Sequence, residues 1–465
     1  MPAAAAAGAY LGGRAMLALY LGLLVWAPIP LGSNRPWSAA LLQVCVLLLA
    51  LWWLAGALRA SQPLPRILRD AWPMLLCAGS WVGYAWLQLL PLPVAWLEML
   101  SPQAAAWHVT AHPQRATAPL SLDPHATLEA ACASTAYVAF LLLGLALLGT
   151  HRRILAAAVV LVLSGIAQAA YGAIASLSSP GEYASGSFVN RNHYAAYLVI
   201  CLSIGIGLLI ATLSGERHAS WREFLRRLLQ WMVTPKMGLR LGLMAMVIAL
   251  VMTHSRMGNA SFFVALLAAG VIGLVLSRRA TRSMVVLIAS LIAIDLLVVG
   301  TYFGAERVVQ RVAESSAQAE DRDEVAGYAL SMWRDYPLTG SGLGTFHAAF
   351  PRYSGEATAG AYTHAHNDYL EFAAEAGLIG LGLLGAMVVL SFVAALRAHQ
   401  LRRDPLMRGL SFGAMMSIIA LMMHSAVDFS LRIPANALTF MLVLAFAWIS
   451  RLHGNGAKNG GPRAP

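Results

Sequence analysis

The stretch Asn190–Leu213, "NRNHYAAYLVICLSIGIGLLIATL", opens on four polar residues and then runs without a charge to its end. In lipid every backbone N–H and C=O must be satisfied within the segment, so about 20 apolar residues in one run read as a helix crossing the bilayer. Its polar head then sits at the membrane boundary. Composition extends this reading to the whole chain: of 465 residues 59% are hydrophobic and only 11% charged, where a soluble domain carries about 25%. Mean hydropathy is +0.66.

The same window predicts spans near 13–31, 38–58, 71–90, 129–149, 154–177, 194–213, 241–255, 259–277, 283–303, 373–396, 409–427 and 434–450. The expected fold is therefore all-α: a polytopic integral membrane protein of about twelve transmembrane helices, with a large periplasmic loop before helix ten. Residues 1–303 would hold helices one to nine, 304–372 the loop, 373–451 the last three helices and 452–465 a cytoplasmic tail. The first apolar run lacks a small-residue cleavage site and reads as a retained span. Cys45, Cys77, Cys132 and Cys201 lie far apart in apolar runs, which suggests neither a disulfide framework nor a zinc site.

Lys and Arg set the orientation. With both termini cytoplasmic, the inner loops and tails hold 22 of the 32 basic residues, so the net charge of +11 is mostly a topology signal. No basic stripe interleaved with aromatics points to nucleic acid. Two sizeable loops then face outward. One, about 91–127, is rich in Pro, His and Trp and reads as an interfacial scaffold. The other, 304–372, begins with helical spacing that offers Val308, Val312, Tyr328 and Met332 as an apolar face, and breaks at "YPLTGSGLGTF". Without a flanking βαβ unit, its glycines read as a tight turn and not a nucleotide loop.

Four polar stretches fall at outward helix ends: "GSFVNRNHYAAY" (186–197), "THSRMGN" (253–259), "THAHND" (363–368) and "HSAVDFSLRIP" (424–434). Clustering on one side suggests one site. Arg191 stands at the start of span six, where a planar guanidinium and helix N-terminal amides together suit a diphosphate, and Arg256 is a second cation at the tip of a tight outward hairpin between two spans; interfacial snorkelling is the plainer account of either alone. His366 is the side chain suited to take a proton from a hydroxyl, with Asp368 or Glu371 nearby to orient it. Asn190, His193, His364, Asn367, Asp368, His424 and Asp428 are candidates for supporting roles. Asn367 or Asp368 with Glu371 also makes a helix N-cap, and "HSAVDFSLRIP" reads equally as a local charge pair with Arg432. His364, His366, Asp368 and His347 lack an HExxH pattern, so no metal and no cofactor is expected.

These residues resemble the O-antigen ligases and related O-antigen polymerase-type membrane proteins of bacterial envelopes. The likeness rests on "FVNRNHYA", "THSRMGN", "PLTGSGLGTF" and "HAHNDYLEFAAEAGLIGL", where His366-Asn367 is followed after nine residues by Gly377 as in the ligases. The resemblance implies a metal-independent glycosyltransferase in the bacterial inner membrane, moving a glycan from undecaprenyl diphosphate at the periplasmic face. The acceptor would be a hydroxyl of lipid A-core, protein or another glycan. By position, Arg191 and Arg256 would bind the diphosphate and His366 would activate the acceptor.

Two departures stand out. The ligase pattern continues Gly-x-x-Thr-Gly, where this chain has Gly380 and Leu381. Polymerases often carry an outward Arg with a Gly eleven positions on, but Leu202 follows Arg191 at that distance and Thr363 follows Arg352. The absence of that polymerase pattern favours ligase over polymerase. Two other classes stay open: a transporter, for which Asp295 inside span nine is the best argument, and an assembly scaffold, which leaves the arginines and His366 without a role.

Overall fold

The computed structural model describes residues 2–59, 64–179, 181–213, 235–276, 324–354 and 362–454. The expected ninth span with Asp295, and the 304–323 part of the long loop with Val308 and Val312, lie outside the described residues. Among the described residues the regular secondary structure is helical apart from two-residue strands at Leu92–Pro93 and Thr117–Ala118, which pair antiparallel.

The long helices are α1 (Pro2–Trp26), α2 (Pro36–Arg59), α4 (Trp72–Leu87), α7 (Pro124–Leu147), α8 (His151–Ser178) and α9 (Arg191–Leu213). After them come α10 (Pro235–Met252), α11 (Arg256–Leu276), α14 (Asp368–Leu401), α15 (Pro405–Ser425) and α16 (Pro434–Leu452). Short helices α3 (Arg66–Asp70), α5 (Val94–Leu100), α6 (Pro102–Ala111), α12 (324–335) and α13 (Phe346–Ala349) fill the connections. Among the described residues, eight helices are long and apolar enough to cross a membrane: α2, α7, α8, α9, α11, α14, α15 and α16. The expected span 71–90 is the 16-residue α4, and 241–255 falls in the 18-residue α10, of which Met237–Met252 is the apolar part.

Burial separates a core from a rim. The apolar windows of α9, α15 and α16 are 89%, 78% and 83% buried against 17% for α2, so these three form the centre of the bundle and α2 faces outward. Between lipid-bathed helices there is little hydrophobic gain on contact, so close backbone approach has to supply the adhesion. Glycines make it available here. A Cβ on Gly207 would lie 2.3 Å from the Gly409 carbonyl oxygen, and one on Gly413 would lie 2.7 Å from the Ser203 oxygen, so α9 and α15 touch backbone to backbone.

A second apolar cluster joins two connecting segments to the first turns of α14, through Leu370 and Ala374. Leu97, Ala105 and Leu120 of segment 91–127 pack with Val325, Met332, Phe346 and Phe350 of segment 324–354. The two segments thus form one cap. Below it α14 is two helices joined across Gly377, whose φ of +62° and ψ of −170° are not helical. The 337–344 turn fills that break: Leu378 N donates to the Pro337 oxygen and Ile379 N to the Leu338 oxygen, while Ser341 N and Gly342 N donate to the Ala374 and Glu375 oxygens. Backbone groups released by the break are satisfied by another segment, as burial requires. Gly340 has to be glycine for the same reason, since its φ is +70° and a Cβ would meet the Glu375 carbonyl at 2.2 Å.

Candidate functional site

The four polar stretches meet at one end of the bundle. Ala184 N donates to the Met252 oxygen at 3.1 Å, and the Tyr183 ring lies between the Arg191 guanidinium, 3.9 Å from its centroid, and the His254 ring at 5.2 Å. That ties the first stretch to the second. His193 then approaches Asp428 of the fourth stretch, and His366 of the third approaches the same oxygen.

Arg191 is the first residue of α9, behind Asn190, whose side chain accepts from Asn192 N at 2.8 Å and so caps the helix start. One guanidinium nitrogen, Nη1, is buried with no hydrogen-bond partner. Helix N-terminal amides add partial positive charge there. Arg256 occupies the matching first position of α11 and is exposed.

Asp428 is the centre of the arrangement, with 1% of its side chain exposed. Its Oδ1 lies 3.5 Å from His366 Nδ1 and 3.6 Å from His193 Nε2, and accepts from Phe429 N at 2.9 Å. Burial alone would push the Asp428 carboxyl up, but the facing His193 and His366 rings outweigh it and hold it below the ordinary carboxylate range. Both of these ring nitrogens are buried and face the carboxylate at these distances without a hydrogen bond, and His366 Nε2 points away from it. The His366 side chain is 25% exposed and its φ is +50°, the left-handed region that non-glycine residues adopt at a cost and often at functional positions. Phe429 packs this group together, stacking on His364 at 4.1 Å and meeting His193 and His366 edge-on at 4.5 and 5.0 Å.

The expectation that Asp368 or Glu371 orients His366 is corrected by this geometry. Proximity in sequence misled it, because the start of α14 turns both carboxylates elsewhere. Asp368 Oδ2 accepts from Ser425 Oγ at 2.8 Å and Leu431 N at 3.1 Å. Glu371 faces His364 Nδ1 at 2.8 Å and accepts from Ala365 N at 2.8 Å. The N-cap of α14 is Asn367, which accepts from Leu370 N at 3.1 Å. His424 is buried beside Asp428, with neither ring nitrogen hydrogen-bonded.

Arg432, offered by the sequence only as part of a local charge pair, and Glu375, Phe429 and Tyr183, given no role there, complete the site. Arg432 lies 3.1 Å by Nε from Glu371 and pairs through Nη2 with Glu375, its plane 4.2 Å over the Phe372 ring. Burial disfavours the guanidinium charge, yet Glu375 and Glu371 more than offset that and raise its proton affinity. Glu375 also accepts from Phe346 N at 3.0 Å, which anchors the cap to α14. The carboxylates at the i and i+4 positions of α14 were the available signal, since a buried face cannot hold two of them without a cation. Phe429 and Tyr183 carried no signal beyond lying near charged residues.

Asp368, Ser425 and Arg432 also line one wall of a cavity of about 790 Å³. Its other walls are largely apolar, including Trp81, Tyr137, Phe372 and Met441, and Arg35 and Glu129 contribute charges to its lining. Among the described residues no set of three or more His, Cys, Asp and Glu side chains converges as a metal site would require.

The stretch that runs from α10 through the His366 loop into α14 is where a family signature would fall. Residues 241–385 match the O-Antigen ligase family model. Through this region the chain is similar to O-antigen ligase-type proteins, a family of glycosyltransferase-like membrane enzymes that act on lipid-linked glycans. The ligase-matching region holds Arg256 and His366, while Arg191, His193 and Asp428, which complete the arrangement, lie outside it. No curated protein matches the chain.

Proposed function

We propose that this protein is a glycosyltransferase of the ligase type that moves a glycan from undecaprenyl diphosphate to an acceptor hydroxyl at the periplasmic face of the bacterial inner membrane. The observation that carries the reading is His366: one ring nitrogen faces a buried carboxylate, the other is free, and Arg191 with an unpartnered guanidinium nitrogen stands on a helix that reaches the same carboxylate. His366 Nε2 takes the proton from the acceptor hydroxyl as its oxygen attacks the anomeric carbon. The bond from that carbon to the diphosphate breaks, and the charge left on the diphosphate is met by Arg191, Arg256 and the helix N-termini behind them. Asp428 fixes the tautomer and stabilises the imidazolium that forms.

The apolar cavity supports a substrate with a long hydrocarbon portion, because it brings an apolar wall up to Asp368, two residues from His366. Twelve spans, with 304–372 as an outward cap and both termini inside, complete the layout. A polymerase of the same superfamily is the second reading, and the Gly380-Leu381 departure from the ligase pattern favours it.

Arg191→Ala and His366→Ala test the reading. Each should abolish transfer while the purified protein stays folded and monodisperse in detergent. Transfer at the native rate in either variant would remove the mechanism.

A further inference from the structure

We propose that His193 is a positioning residue that, by sharing Asp428 with His366, sets the proton affinity of His366. The role of His366 as the base rests on the glycosyl-transfer reading, whereas the coupling between the two rings rests on geometry alone. Asp428 Oδ1 faces two imidazole nitrogens, His366 Nδ1 at 3.5 Å and His193 Nε2 at 3.6 Å, and neither nitrogen has another partner. The side chains of His193 and Asp428 are 3% and 1% exposed, so little water screens their interaction.

His193 is fixed in place. It belongs to the first turn of α9, its carbonyl oxygen accepts from Asn436 Nδ2 at 3.1 Å, and its ring meets Phe429 edge-on at 4.5 Å. The titratable groups around it are Asp428 from the turn before α16, His424 from α15, His366 from the loop before α14, and Arg191 two residues earlier on its own helix. Of the two rings on Asp428, His366 is the one a substrate reaches, and His193 acts through the carboxylate.

The direction of the effect follows from charge. The imidazole of His193, facing Asp428 at 3.6 Å, offsets part of its negative charge electrostatically and leaves less of it to stabilise protonated His366. Removing that imidazole concentrates the charge on His366 and raises its proton affinity. A side chain that restores an N–H donor at the same place should restore the original value.

Diethylpyrocarbonate acylates neutral imidazole, so the rate at which the His366 peptide is modified, followed by mass spectrometry between about pH 5 and about pH 8.5, reports its titration midpoint. The full chain in detergent micelles is used, and neither donor nor acceptor is needed. His193→Leu should raise the His366 midpoint by about 0.5–1 pH unit, and His193→Gln should return it to within about 0.3 unit of the native value. Asp428→Asn should lower the midpoint in both the native and the His193→Leu background. If the Leu variant does not fold, His193→Phe keeps a ring against Phe429 without the donor and is read the same way. An unmoved midpoint in Leu or Phe, or a Gln variant shifted as far as Leu, would overturn the proposal. Since no transfer is measured, that result is distinct from a failure of the glycosyltransferase reading.

Discussion

A carboxylate taken out of water without partners gives up its charge, because carrying that charge into a low-dielectric interior costs several kcal/mol. Asp428 keeps its charge through the two imidazoles and the Phe429 amide that face it. On the glycosyl-transfer reading, replacing it with Asn removes the charge that would stabilise an imidazolium at His366 and offers that ring an amide that can select the wrong tautomer. Transfer should fall by about 10²- to 10⁴-fold with little change in the amount of folded protein. Acid stability should change as well. A carboxyl whose folded pKa is depressed contributes stability that is present above its unfolded value of about 3.9 and lost as pH falls below it. Thermal unfolding measured from about pH 5 down to about pH 3 should therefore show a shallower loss in Asp428→Asn than in the native protein. Arg432→Gln acts differently, because it leaves Glu371 and Glu375 buried without their cation and should destabilise by about 3–5 kcal/mol. These partnerships were only half legible in the sequence. Helix ends and loop chemistry pointed to His366, Arg191 and Asp428, but the pairing of His366 with Asp428 spans 62 positions, and no local rule selects it over Asp368 two residues away.

Hydropathy made the long helices legible because lipid imposes one length and one composition on any segment that crosses it. It could not show that α14 breaks at Gly377, since the residues on both sides are apolar and the break is made by a distant turn. Gly340 and Gly377 are paired features of that junction: each has a positive φ and each lies against the other segment's backbone, with a Gly377 Cβ 2.2 Å from the Leu338 oxygen. Gly377→Ala should therefore cost at least about 2–3 kcal/mol, combining backbone strain with displacement of the turn. Glu375 would move with it, and the cap would loosen from α14. Gly382 on the same helix is the control, because a Cβ there meets nothing within 4 Å. Gly382→Ala should leave the thermal transition unchanged or raise it, by about 0.5–1 kcal/mol at most. Equal effects at the two positions would mean that the junction contributes no more than helix propensity.

At the scale of the whole molecule, the bundle gathers polar residues from four separated stretches at one end, beneath a cap built from two loops and beside an apolar cavity. This division suits a substrate that is polar at one end and hydrocarbon at the other, and it fits both a finished lipid acceptor and the end of a growing glycan. Polyprenyl-linked glycans, sized by mass spectrometry in cells carrying His366→Ala, separate the two. A ligase acts after the polymer is built, so loss of its base should leave long lipid-linked chains unspent while surface polysaccharide falls. A polymerase acts on single units, so the same variant should accumulate one-repeat lipid diphosphates and no long chains. The ligase reading expects the first pattern, with Arg191→Ala reproducing it, because base and diphosphate site serve the same step. An unchanged profile in both pools would mean that the cavity and the cations serve transport or assembly, and that the free nitrogen of His366 has no chemical task.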